Sequence, residues 1–199
     1  MEKYFEKVKQ TITSITSNHQ KFLTKIKSKC NFQFAIVDYR DHKPEGDYIY
    51  HKCDFTNHTA AMKYVMNLKS GSGGDIPEAV LDGLDAACAL NWRQNADHLL
   101  FHILDAPPHG KIYTKRDDKW PNGCPCGKTA QNILQAMKNK QIAYHILPCS
   151  NEINMMIAEF KNHIDLQIST FNDKITFEDA IAKHVFEQLK DTEMTLKKN

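Results

Sequence analysis

The chain has 199 residues, 41% of them hydrophobic and 25% charged, with a formal net charge of +2. That length supports one domain with a substantial core, and the near-neutral charge excludes a protein whose main work is gripping nucleic acid, which needs a basic excess. No run of about 18 apolar residues is present, so no membrane span is expected, and the opening MEKYFEKVKQ is charged and amphipathic, unlike an export signal.

The predicted elements follow in chain order. Phe5, Val8, Ile12, Ile15, Phe22 and Ile26 recur at helical spacing, which predicts a long amphipathic helix over residues 3–29. FQFAIVDY (32–39) is a short apolar run with β-branched and aromatic residues, a buried strand with Asp38 near its end. DHKPEGD makes a turn. YIYHKCDF (48–55) alternates large and polar residues as an edge strand does. A helix is expected near 57–68. SGSGGDIPEAV (70–80) is a glycine loop running into a helix over 76–91, with Pro77 in its first turn and Glu78 at the positive end of its dipole.

HLLFHIL (98–104) reads as the central strand. A long loop, a helix over 128–139, a strand over 141–148, a helix over 151–163, a short strand over 166–170 and a last helix over 176–190 capped by Thr176 complete the order. Alternating strands and helices imply an α/β fold: a doubly wound, Rossmann-like, mainly parallel sheet with one antiparallel edge strand and helices on both faces. Residues 1–190 form the single domain and 191–199 a frayed tail.

In an open parallel sheet, ligands sit in the crevice beyond the carboxyl ends of the strands. Asp105 directly follows such a strand, and Pro107 and Pro108 turn the chain away behind it. Asp38 ends another strand. Asp75 follows Gly73 and Gly74 on a loop expected at the same rim, and His109 lies beside Asp105. Carboxylates converging at one rim call for a hard divalent cation such as Mg²⁺.

GSGGDIPEAVLDGLDAACALNWR followed by HLLFHILDAPPHG, and then PNGC at 121–124, resembles the von Willebrand factor A domain, in the version that accompanies atypical alpha-kinases. The likeness spans residues 1–170. It implies the same doubly wound fold and a metal-ion-dependent adhesion site holding Mg²⁺ or Mn²⁺. Asp75 takes the second-loop position, Asp105 the third, and an acidic side chain of a protein partner completes the shell. The rim around them comprises Asp38, Gly73, Gly74 and His109. The family's D-x-S/T-x-S motif and the strand before it are absent, and Met1 is followed at once by what resembles the family's first helix. Low metal occupancy and an exposed slot in the sheet are therefore expected, the slot being open to a homodimer or a partner chain.

Six cysteines stand at 30, 53, 88, 124, 126 and 149. Without an export signal, reduced thiols and a cytoplasmic location are expected. Cys124 and Cys126, with His109 upstream, are a candidate zinc or redox site, although C-x-C spacing is tight and no second pair is evident. His102 and His145 fall within core strands, His98 at the surface. No phosphate loop, nucleophile elbow or kinase catalytic loop is present. The expected function is a non-enzymatic, intracellular protein-interaction domain. The alternatives are a metal-dependent hydrolase that uses His109 at the same rim, or a fragment of an alpha-kinase.

Overall fold

The computed structural model describes residues 31–71 and 73–169, together with residues 6, 9, 10, 12, 13, 179, 181, 183–185 and 187. The expected first helix is helical at residues 6, 9, 10, 12 and 13, and the expected last helix at its described residues; the rest of both, Thr176 and the tail over 191–199 lie outside the described residues.

The strands are β1 (Phe34–Tyr39), β2 (Tyr50–Thr56), β3 (His98–Leu104), β4 (Ile142–Pro148) and β5 (Leu166–Ile168). The helices are α1 (His58–Met66), α2 (Val80–Cys88), α3 (Ala130–Asn139) and α4 (Asn154–Phe160). The apolar runs predicted as strands form strands within a residue or two. β3, β4 and β5 make a parallel sheet in that order, with His98 opposite Ile142 and Tyr144 opposite Leu166. β1 and β2 pair antiparallel as a second sheet, with Tyr39 opposite Tyr50. The fold is α/β and Rossmann-like, as expected.

Among the described residues no strand lies between β1 and β3. The two sheets are joined by side chains and by one short segment of backbone. The Tyr39 hydroxyl lies 2.7 Å from His102 Nε2, and His102 Nδ1 lies 2.8 Å from the Tyr144 hydroxyl. At the carboxyl ends of the strands, Glu78 N–H donates to the Pro107 carbonyl at 3.0 Å and Ala79 N–H to the Arg40 carbonyl at 2.8 Å.

Those two bonds explain a difference from the expected helix over 76–91. Glu78 forms an isolated parallel bridge with Pro108, so its backbone serves the sheets and α2 starts only at Val80. Pro77 and Glu78 therefore precede the helix. Likewise the helix expected over 151–163 divides into a 3-10 turn at Asn151–Ile153 and α4, because the Ser150 hydroxyl accepts from Glu152 N–H and tightens the first turn.

Successive residues of a strand face opposite ways, and this places helices on both sides. Tyr64 of α1 donates to Asp38, whereas Gly83 of α2 lies against the next residue, Tyr39. A Cβ at Gly83 would fall 2.4 Å from Tyr39 Cδ1, so only glycine lets α2 approach β1 this closely. The main core lies on the α2 side, where Leu84, Leu134, Met137, Tyr144, Ile146 and Phe160 are buried together. On the other face, Phe101 stacks on His145 and His184 lies 4.4 Å from His145, between buried Ile181 and Val185.

Candidate functional site

The rim is built from the turn after β1, the glycine loop before α2, and the long loop over 105–129 that follows β3. His109 organises it. Its Nε2 lies 2.7 Å from Asp41 Oδ1 and its Nδ1 2.8 Å from Asp118 Oδ1, and all three side chains are buried. A neutral imidazole has one N–H, so two carboxylate partners favour the imidazolium. Burial pulls the His109 pKa down, but the hydrogen bonds to Asp41 and Asp118 outweigh it and the net shift is upward. Asp118 also accepts the N–H of Gly110 at 2.7 Å and of Trp120 at 2.8 Å, which folds the loop around its carboxylate.

Three buried carboxylate oxygens here have no hydrogen-bond partner: Asp41 Oδ2, Asp75 Oδ1 and Glu78 Oε2. Gly73 lies between two of these acids, its Cβ position 3.4 Å from Glu78 Oε1 and 3.6 Å from Asp41 Oδ2, and Gly74 packs on Glu45. Burial raises Glu78 to about 7, with Asp41 and Asp75 adding to the shift, and burial likewise raises Asp75. Unpaired buried carboxylates are costly, and the rim holds several side by side.

The predicted residues are brought together only in part. Asp75 lies with His109 and Asp118, their ligand atoms within 4.8 Å of one another; its Oδ2 accepts the Lys119 N–H at 2.8 Å. Asp105, half-buried at the end of β3, joins none of the metal-suited groups among the described residues. Asp38 is turned away from the rim, because its carboxylate accepts the hydroxyls of Tyr48, at 2.6 Å, and Tyr64. His109, expected beside Asp105, points instead at Asp41 and Asp118, and neither ring nitrogen is left for a substrate. His98 is less exposed than expected, held between the carbonyls of Lys140 and Arg93 at 2.7 and 2.6 Å.

None of the five described cysteines is in a disulfide. Cys124 and Cys126 meet not His109 but two residues that sequence reasoning missed, His42 and Asp82. One ligand atom from each of the four lies within 4.8 Å of the others. His42 Nε2 is 3.1 Å from Asp82 Oδ2, and Cys124 Sγ is 3.2 Å from that oxygen and 3.7 Å from His42 Nε2. Burial, then the hydrogen bond to Asp82, pushes the Cys124 thiol up to about 12. Asp82 gave little signal: it stands three residues before Asp85 in VLDGLDAAC, and Asp85 is half exposed, so the two acids read as one solvent-facing side.

No family model matches the chain. It is similar to the alpha-protein kinase vwkA of Dictyostelium discoideum, 29% identical over 149 residues that make up 73% of this chain. The chain spans only 23% of that relative's length. In fold it is similar to the pilus adhesin SpaC from Lactobacillus rhamnosus GG, with a TM-score of 0.54 at 11% identity, covering 94% of this chain and 28% of the adhesin. No helix among the described residues is long and apolar enough to cross a membrane.

Proposed function

We propose that the chain is a protein-binding module of the von Willebrand A type that meets its partner at the rim beyond β1 and β3. The observation that carries this reading is the set of buried, unpartnered carboxylate oxygens on Asp41, Asp75 and Glu78. They concentrate negative potential beneath a surface where the strand ends, the glycine loop and the 105–129 loop meet. Such a surface attracts a cation, or a partner's basic or metal-bearing group. The similarity to part of an alpha-kinase supports a module that works within a larger assembly.

The oxygen-rich donor set suits Mg²⁺ or Mn²⁺. Asp75, with one buried oxygen lacking a donor, fits such an ion, and Asp105 just after β3 is the second ligand that the family resemblance implies. The ion supplies a positive charge that a partner's carboxylate completes. Two protein ligands make a weak site on their own, so the partner's share of the shell is large. The occupied nitrogens of His109 argue against a hydrolase at this rim.

The test compares proteins retained from a cell lysate by the full chain and by its Asp75→Ala and Asp105→Ala variants, with Mn²⁺ or with a chelator. Circular dichroism checks that each variant is folded. A partner captured by the parent chain and lost in both folded variants supports the reading. Identical capture by all three removes the rim as the binding surface.

A further inference from the structure

We propose that His42, Asp82, Cys124 and Cys126 bind one structural zinc ion, at a site separate from the Asp75–Asp105 rim. The donor chemistry comes first. Two sulfurs, an imidazole nitrogen and one carboxylate oxygen make a mixed soft and borderline set, which selects Zn²⁺ and not the hard ions Mg²⁺ or Ca²⁺. Four protein ligands leave no open position, as in structural sites.

The spacing agrees. With Zn–S of about 2.3 Å and Zn–N or Zn–O of about 2.0 Å, the edges of a tetrahedral shell are about 3.3–3.6 Å for N···O, S···O and S···N pairs. The observed separations are 3.1 Å for His42 Nε2 to Asp82 Oδ2, 3.2 Å for Cys124 Sγ to Asp82 Oδ2 and 3.7 Å for Cys124 Sγ to His42 Nε2. Cys126 Sγ lies 3.7 Å from the other ring nitrogen of His42, Nδ1, and one ligand atom from each of the four residues lies within 4.8 Å of the rest.

The surroundings agree as well. Gly127 has φ +71° and its N–H returns to the Cys124 carbonyl at 2.9 Å, so residues 124–127 close a tight turn that holds both cysteines, in a conformation that suits glycine at its end. Asp82 and His42 are 2% and 6% exposed at their side chains. An ion pair between them would account for two of the four groups. It would not account for two thiols from a distant loop converging on the same carboxylate.

The four ligands come from three places: the turn after β1, the first turn of α2, and the 105–129 loop. That loop has no helix or strand, and ordered loops of such length need an anchor. One ion would tie it to α2 and to the turn that carries Asp41. Binding Zn²⁺ releases the protons of both thiols, leaving the imidazole neutral and the carboxylate ionised.

The experiment uses the full chain purified under reducing conditions without chelator. Zinc is quantified by plasma mass spectrometry, and the metal-stripped chain is titrated with Co²⁺. The expected results are one zinc per chain, and a Co²⁺ complex with intense visible bands of tetrahedral geometry and a near-ultraviolet sulfur-to-cobalt band. Cys126→Ser, at an exposed position, and Asp82→Asn should each weaken zinc binding by roughly a hundredfold or more, beyond the 10–100-fold typical of residues that only support a ligand. Cys53→Ser and Asp75→Ala should keep both zinc and spectrum. A parent chain that carries no zinc and gives only a weak octahedral Co²⁺ spectrum overturns the site. So does a folded Cys126→Ser chain with unchanged zinc content and spectrum. Since Asp75→Ala addresses the rim alone, failure at one site does not imply failure at the other.

Discussion

At the scale of single residues, the energetic centre of the rim is His109. Its imidazolium sits between Asp41 and Asp118, with all three side chains at most 3% exposed. Removing one member of a buried ionic group leaves the others uncompensated, at a cost of about 3–5 kcal/mol. His109→Ala should therefore lower the unfolding free energy by about that much, read as a shift in the urea midpoint. Asp118→Asn should cost less than His109→Ala, because its one amide oxygen still accepts from one of the two N–H groups, Gly110 at the Oδ2 position or Trp120 at the Oδ1 position, although not from both. Equal stability of His109→Ala and the parent chain would show that the three groups are not charged as described. Little of this triad was legible in the sequence. His109 was visible as a rim residue, but Asp41 lies 68 positions away, and no local pattern signals which acid a histidine will meet. The same holds for Cys124, whose spacing to Cys126 hinted at a metal while His42, 82 positions away, gave no hint.

At the scale of elements, the strands were legible because an apolar run flanked by turn residues is a local signal, and β3 was read to the residue. The helix starts were legible only where a side chain makes the cap. Asn57 accepts from Ala60 N–H and Thr129 from Asn132 N–H, and α1 and α3 begin just after them. α2 has no side-chain cap; its start is set by tertiary hydrogen bonds of Glu78 and Ala79 to Pro107 and Arg40, and propensity carries no information about those. The difference yields a contrast. Thr129→Ala removes a cap and should destabilise the chain by about 1 kcal/mol, seen as a small drop in the urea midpoint. Replacing Ala79 by Ser, which would be a better N-cap residue on an isolated helix, should give no gain, since the segment before α2 is already committed to the sheets. A clear gain in stability from Ala79→Ser would mean that α2 is limited by its cap after all.

At the scale of the whole molecule, the two sheets depend on a link that works only when uncharged. His102 connects Tyr39 of β1 to Tyr144 of β4 through both ring nitrogens. A neutral ring donates from one nitrogen and accepts at the other, so one tyrosine donates and one accepts. Protonation makes both nitrogens donors, removes an acceptor and places a charge in the core. Burial accordingly lowers the His102 pKa to about 3. With the folded value depressed below the unfolded value of about 6.5, the unfolded chain binds the extra proton first as pH falls. The contribution is thus fully present above pH of about 6.5 and declines by about 1.4 kcal/mol per pH unit down towards the folded value. His145, lowered to about 4 by burial and then by His184, acts in the same direction. Glu78, raised by burial to about 7, acts oppositely, binding a proton in the folded chain first. The net slope of the parent chain mixes all three, so the informative quantity is a difference. Between pH 6.5 and 5, His102→Gln should lose about 2 kcal/mol less stability than the parent chain, measured by urea unfolding at both pH values. Parallel pH dependences in the two chains would mean that the sheets are not held together through a neutral His102.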